Sequence, residues 1–236
     1  MLPLLIASIA PTAILAVPIL FSWRRYGSDG FFPARIFAVG CLSCLPALLL
    51  ELAGKTLMMY FELDTMLISM LLWGLVVPIS EETSKYVAFN ALRSKNEIAD
   101  IRYGMLCGAL VSLGFATIEN MVYIINNQDM HIALMRAFTA VPMHFACGIY
   151  MGFVYSRAIL SEGMPRDAKM RHFVLALAFP IAMHSLYDIC VMSGSDISTA
   201  AGVSAMAVFF ISSIVLAVLQ GKETRPKVSD DGDGDE

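Results

Sequence analysis

Charge is scarce in this chain. Asp, Glu, Lys and Arg make up 15% of its 236 residues, 58% are hydrophobic, and the mean hydropathy is +0.69. Soluble globular domains carry about 25% charged residues, so a water-soluble fold is excluded and a lipid environment is implied. The formal net charge of −4 reflects the run Asp230–Glu236 (DDGDGDE), which reads as a solvated, disordered acidic tail. Set that run aside and the body is slightly basic, with no surface suited to a nucleic acid. A cysteine framework is also missing. The five cysteines (41, 44, 107, 147, 190) are odd in number and lie in apolar runs, and Cys41-x-x-Cys44 lacks a second pair for a zinc site. They read as small hydrophobes. No polar stretch is long enough for a soluble domain, so residues 1–221 read as one multi-pass unit and 222–236 as the tail.

What the chain has is long apolar segments. A spanning helix needs roughly 20 mostly apolar residues, and seven stretches qualify: about 2–22, 36–54, 66–90, 103–126, 131–157, 172–193 and 198–220. The first has no basic residues before it and Arg24 and Arg25 after it, the reverse of a cleaved signal peptide. It is expected to remain as a helix. Arg24, Arg25 and Arg35 lie in the first loop, Arg93, Lys95 and Arg102 in the third, and Arg157, Arg166, Lys169 and Arg171 in the fifth. Lys222, Arg225 and Lys227 follow the last span, whereas the even loops hold only Lys55. Basic loops mark the cytoplasmic side. The expected fold is therefore an all-α polytopic bundle of about seven spans, N-terminus out and C-terminus in.

Against this apolar background, four consecutive spans carry ionisable groups. The third holds Glu81, Glu82 and Lys85 within the segment PISEETSKY, and the fourth holds Glu119, followed by Asn120. The fifth holds His144, and the sixth His184 and Asp188. Each charge at a helix centre costs about 2.5–3.5 kcal/mol, so the five charged residues would cost more than about 12 kcal/mol unpaired. Pairing or function must hold them there. Successive residues on a helix turn about 100°, which places Lys85 between the two glutamates in azimuth, able to neutralise one but not both. His184 and Asp188 are at i and i+4, on one face, where the carboxylate can orient the imidazole. Counting about 1.5 Å per residue, Glu81, His144 and His184 fall near mid-membrane and Glu119 nearer the outer side. Gly104-x-x-x-Gly108 and Gly148-x-x-x-Gly152 offer faces on which helices approach closely.

In isolation each feature has a simpler reading. Lys85 with one glutamate can be a structural ion pair, and a lone intramembrane histidine can be a helix–helix hydrogen bond. Glu51 and Lys55 read as interfacial, and Arg136 as a residue near the outer surface. Trp23 and Tyr26 fit an interfacial aromatic belt. His131 and His172 fall at loop edges, and the sixteen methionines read as lipid-facing or packing residues.

Taken in order, Glu81-Glu82-Thr-Ser-Lys85, Phe115-x-x-x-Glu119-Asn120, His144-x-x-x-Gly148 and His184-x-x-x-Asp188 resemble the motifs of the PrsW family of intramembrane proteases, within the clan that includes the CAAX prenyl endopeptidases. The resemblance covers about residues 70–195. It implies a bacterial cytoplasmic-membrane protein, embedded in the lipid bilayer, that cleaves membrane-anchored substrates such as single-span anti-sigma factors in the first cut of a signalling cascade. It also implies that Glu81, Glu82, Lys85, Glu119, Asn120, His144, His184 and Asp188 form the catalytic set. Glu81 or Glu82 would take the proton of a water, with Lys85 tuning the pair, and His184, oriented by Asp188, would serve the oxyanion or the leaving amine. The resemblance leaves open whether a metal is required. If one is, Glu119, His144 and His184 make a two-His, one-carboxylate set of the kind zinc accepts. The alternative from a different class is a proton- or ion-coupled transporter using the same cluster. Pro78, Pro142 and Pro180, each shortly before a motif residue, would suit the broken helices of that class, though no paired repeat accompanies them. A non-catalytic scaffold is a third reading.

Overall fold

The computed structural model describes residues 2–24, 31–93 and 98–223, and among these it holds helices and no strand. The acidic tail, Tyr26 and Lys95 lie outside the described residues. Seven stretches are long and apolar enough to cross a membrane. They are built from α1 (Leu2–Trp23), α2 (Phe31–Tyr60), α3 (Thr65–Leu71) continuing into α4 (Val77–Arg93), α5 (Ile101–Asn127), α6 (Met130–Phe138) with α7 (Ala140–Leu160), α8 (Arg166–Met192) and α9 (Asp196–Glu223).

α5 is the hub. Its span is 83% buried and that of α6–α7 is 61%, against 28% or less for each of the others. The chemistry of its faces explains this. An added Cβ at Gly108 would lie 2.1 Å from the carbonyl oxygen of Gly148, one at Gly148 2.3 Å from that of Gly108, and one at Gly152 2.2 Å from that of Gly104. No side chain separates α5 from α7 at these levels, the small-residue contact that replaces hydrophobic driving force inside a bilayer. On its opposite side α5 meets α2 in the same way, with Gly114 against the carbonyl of Phe37 and Gly40 against that of Val111. The outer helices turn large apolar residues such as Leu49, Leu50, Ile211 and Val218 outward, as lipid requires.

Two of the three spans with a proline near a motif residue are distorted. Between α3 and α4, residues Leu72–Val76 form a π-helical turn, in which the Val77 N–H bonds the Leu72 carbonyl five residues back. Pro78 has no N–H for the ordinary bond to Gly74, and its ring needs room there. The wider turn provides that room, as π-bulges do at functional sites. The fifth span, expected as one helix over 131–157, is instead two. Thr139 (φ −124°, ψ −68°) separates α6 from α7, and Pro142 falls in the first turn of α7, where its missing N–H is not needed. α8 runs unbroken through Pro180. Trp23, the last residue of α1, is 2% exposed and packs on Phe32 and Tyr103, with ring centroids 5.7 and 4.9 Å away, so it faces protein neighbours.

Candidate active site

The π turn and the break at Thr139 aim two helix starts at the same volume. Glu81 and Glu82 follow the first, and His144 follows the second by five residues. α5 passes between them carrying Phe115, Glu119 and Asn120, and α8 closes the group with His184 and Asp188. All eight residues singled out in the sequence are buried.

Lys85 sits at the centre with 0% exposure. Its Nζ donates to Glu82 Oε1 at 2.6 Å and to His144 Nδ1 at 2.9 Å, and lies 3.7 Å from Glu81 Oε2. It is also 4.5 Å from the centroid of the Phe115 ring, which gives that aromatic a cation–π role. Glu82 is fully enclosed. Its Oε1 is 3.0 Å from His184 Nδ1, so Lys85 and His184 both converge on that oxygen. Both glutamates keep a buried Oε2 without a hydrogen-bond partner; the Oε2 of Glu81 lies 4.0 Å from His144 Nδ1 and 3.9 Å from His184 Nδ1. It faces a cavity of about 330 Å³ that is also lined by Glu119, His144, His184 and Asp188. Glu82 does not line this cavity. A buried carboxylate oxygen without a partner costs stability, and its retention at a cavity wall points to chemistry.

The far nitrogens of the imidazoles face acids as well. His144 Nε2 is 2.8 Å from Glu119 Oε2, and His184 Nε2 is 3.4 Å from Asp188 Oδ2. The rings lie 5.2 Å apart and nearly perpendicular, at 88°. One donor atom each from Glu81, His144 and His184 falls within 4.8 Å of the others. Two imidazoles and a carboxylate, with a second acid behind each ring, match the pattern in which outer carboxylates orient metal-bound histidines. The residues therefore fit a divalent cation, and the positive charge of Lys85 is what those donors face in this structure. The expected three-residue set is corrected in one member. Glu119 holds the guanidinium of Arg136 with Oε1 at 2.6 Å while Oε2 faces His144, so Glu81 rather than Glu119 groups with the imidazoles.

Arg136 is the residue that sequence reading misplaced. It was expected at the outer surface, but its side chain is 14% exposed and lines the cavity. Its Nε donates to Asn120 Oδ1 at 2.7 Å and its Cζ lies 3.9 Å over the ring of Tyr123. The available signal was Glu119 itself, an intramembrane acid with no cation within one turn of it on its own helix. Thr139 and Tyr187, also unanticipated, pin the break: the Tyr187 hydroxyl donates to Thr139 Oγ1, which donates to the Met135 carbonyl, both at 2.7 Å. Glu51 is partly buried and Lys55 exposed, and neither lines the cavity.

A family model described as "PrsW family intramembrane metalloprotease" matches residues 32–217, a stretch that contains every residue of the cluster. The chain belongs to the PrsW family. Among curated proteins, the chain is similar to a protease PrsW of Halalkalibacterium halodurans, 33% identical over 190 residues, covering 80% of this chain and 83% of that one. A protease PrsW of Oceanobacillus iheyensis is 28% identical over 189 residues, covering 80% and 82%. One of Bacillus subtilis is 39% identical over 85 residues, covering 36% and 37%. No solved structure matches the chain. As a PrsW protein the chain is a multi-pass membrane protease acting on a membrane-protein substrate.

Proposed function

We propose that this protease makes the first cut in a single-span anti-sigma factor of a bacterial cytoplasmic membrane, with Glu81 activating the attacking water. The observation that carries this reading is the partnerless Glu81 Oε2 on the cavity wall, facing two imidazoles. Glu81 accepts a proton from water at Oε2 as the water oxygen bonds to the scissile carbonyl carbon. The developing oxyanion is met by the positive charge of Lys85 and by the His184 side, where preorganised donors lower the barrier most. The proton held on Glu81 then passes to the leaving amine as the C–N bond breaks. Glu119 holds His144 at 2.8 Å and Glu82 meets His184 Nδ1 at 3.0 Å, with Asp188 3.4 Å from its other nitrogen, so the rings are ordered before the reaction. If a metal ion were bound, Glu81, His144 and His184 would hold it, and zinc suits the set; it would supply a Lewis acid for the carbonyl and a more acidic water, and Glu81 would then act as a ligand in place of the base.

The basic loops support an N-out, C-in orientation. In that orientation the α5–α6 turn is external, and the cavity reaches Asn127 and His131 there. This supports a cut in the outer half of the substrate's span, as a first cleavage that releases an outer domain requires. The test is co-reconstitution of the full chain with a single-span anti-sigma factor in liposomes and mass spectrometry of the products. One new terminus in the outer half of the span is expected. Cleavage confined to the cytoplasmic domain, or none of any single-span protein, would overturn the reading.

A further inference from the structure

We propose that Arg136, outside the four motifs, is a positioning residue for the peptidase reaction: through Glu119 it holds His144 with its Nδ1 toward Glu81. The inference rests on the reading above that His144 serves catalysis.

Arg136 belongs to α6, which Thr139 separates from α7. Its guanidinium meets three residues on one side of α5: Glu119 Oε1 at 2.6 Å, Asn120 Oδ1 at 2.7 Å and the Tyr123 ring at 3.9 Å. A carboxylate offers two oxygens. Glu119 gives one to Arg136 and the other to His144 Nε2 at 2.8 Å, so its plane cannot rotate without losing a contact. The ring's other nitrogen accepts from Lys85 Nζ at 2.9 Å and lies 4.0 Å from Glu81 Oε2, so Glu119 and Lys85 fix the ring from its two ends. Remove the guanidinium and Oε1 loses its partner, the acid loses its counter-charge in a low-dielectric setting, and the acceptor of the imidazole N–H is free to swing. Lysine can restore charge but not the planar fork that reaches Glu119 and Asn120 together.

A purely structural tie between α6 and α5 would affect stability alone, so the test reads kinetics. The full chain in liposomes is assayed with a single-span substrate as wild type, R136K, R136Q, E119Q, R136Q/E119Q and H144A. Outer-shell partners of this kind are worth about 10–100-fold in activity. R136Q is expected to lower kcat by about that factor with KM within about twofold, and R136K to recover part of it. In the E119Q background, R136Q is expected to change kcat by less than about twofold, because residues acting through one contact are non-additive. Wild-type kcat in R136Q, with H144A inactive, overturns the inference and leaves the site intact. An undiminished effect of R136Q in the E119Q background overturns it too, since Arg136 then acts by another route. An active H144A removes the site reading itself. Should R136Q fail to fold, R136K decides: a wild-type kcat there rejects the role, and a reduced kcat at unchanged KM and thermal midpoint supports it.

Discussion

Glu81→Gln is expected to lower turnover of a single-span substrate by about 100- to 10,000-fold, the range over which a positioned general base contributes, while the protein folds normally. Glu82→Gln, one residue away, is expected to fail first in stability. The physical difference lies in what each carboxylate does. Glu81 Oε2 has no hydrogen-bond partner, and glutamine has the same shape, so little packing is lost. Lys85 still keeps Glu82 at 2.6 Å, and its charge stays compensated. In Glu82→Gln the acid that accepts from Lys85 at 2.6 Å and faces His184 at 3.0 Å disappears, leaving an ammonium with 0% exposure whose remaining counter-charge is Glu81 at 3.7 Å. Removing one partner of a buried ion pair costs about 3–5 kcal/mol, a large part of the 5–15 kcal/mol by which folded proteins typically persist. Thermal unfolding in detergent, run beside the cleavage assay, separates the two outcomes. Full activity in Glu81→Gln, or a wild-type unfolding midpoint in Glu82→Gln, would reverse the assignment.

The second large effect is expected far from any charge. Gly148→Val should destroy both the fold and the activity, and Gly108→Val should do the same. A Cβ at Gly148 would lie 2.3 Å from the Gly108 carbonyl oxygen and 2.6 Å from Ser112 Oγ, and one at Gly108 would lie 2.1 Å from the Gly148 carbonyl oxygen. The carbonyl oxygens are backbone atoms, which cannot swing aside, so α5 and α7 would have to separate by about 1 Å or more to reach ordinary contact distance. Overpacking of this kind costs about 1–3 kcal/mol at a deformable site and more at a rigid one. The separation would also open the 2.8 Å contact between Glu119 on α5 and His144 on α7, so any population that folds should be inactive. Ile211→Val, on a lipid-facing position 59% exposed, is the control and should behave as wild type. Wild-type stability for Gly148→Val would mean that the two helices do not meet at these glycines.

The seven crossings were legible because hydropathy over about 20 residues is a one-dimensional property. So was the clustering of Glu81, His144 and His184 in depth, since helix rise converts position into height. Azimuth was harder. Successive residues point about 100° apart, so Glu81 and Glu82 had to face different ways, but only the packing of α5 and α8 decides which one meets the cavity. Proline flagged the distortions at Pro78 and Pro142 without fixing their form, and Pro180, equally flagged, bends nothing out of register. Arg136 escaped because its distance from the end of a continuous span placed it near water. Its partners Glu119, Asn120 and Tyr123 lie on α5, and Thr139, at the end of its helix, accepts from Tyr187, 48 residues later. Glu119 was assigned to the metal set on residue type alone, whereas the guanidinium that occupies one of its oxygens is a fact of three dimensions.

The most direct test measures bound metal and cleavage together on the same samples. Elemental mass spectrometry of purified full-length wild type, Glu81→Gln, His144→Ala and His184→Ala is paired with hydrolysis of a single-span substrate in liposomes. About one equivalent of a divalent ion per active wild-type chain is expected, with both ion and cleavage lost in the two histidine variants and sharply reduced in Glu81→Gln. Full ion content with full cleavage in any of the three would contradict a shared site built from these side chains.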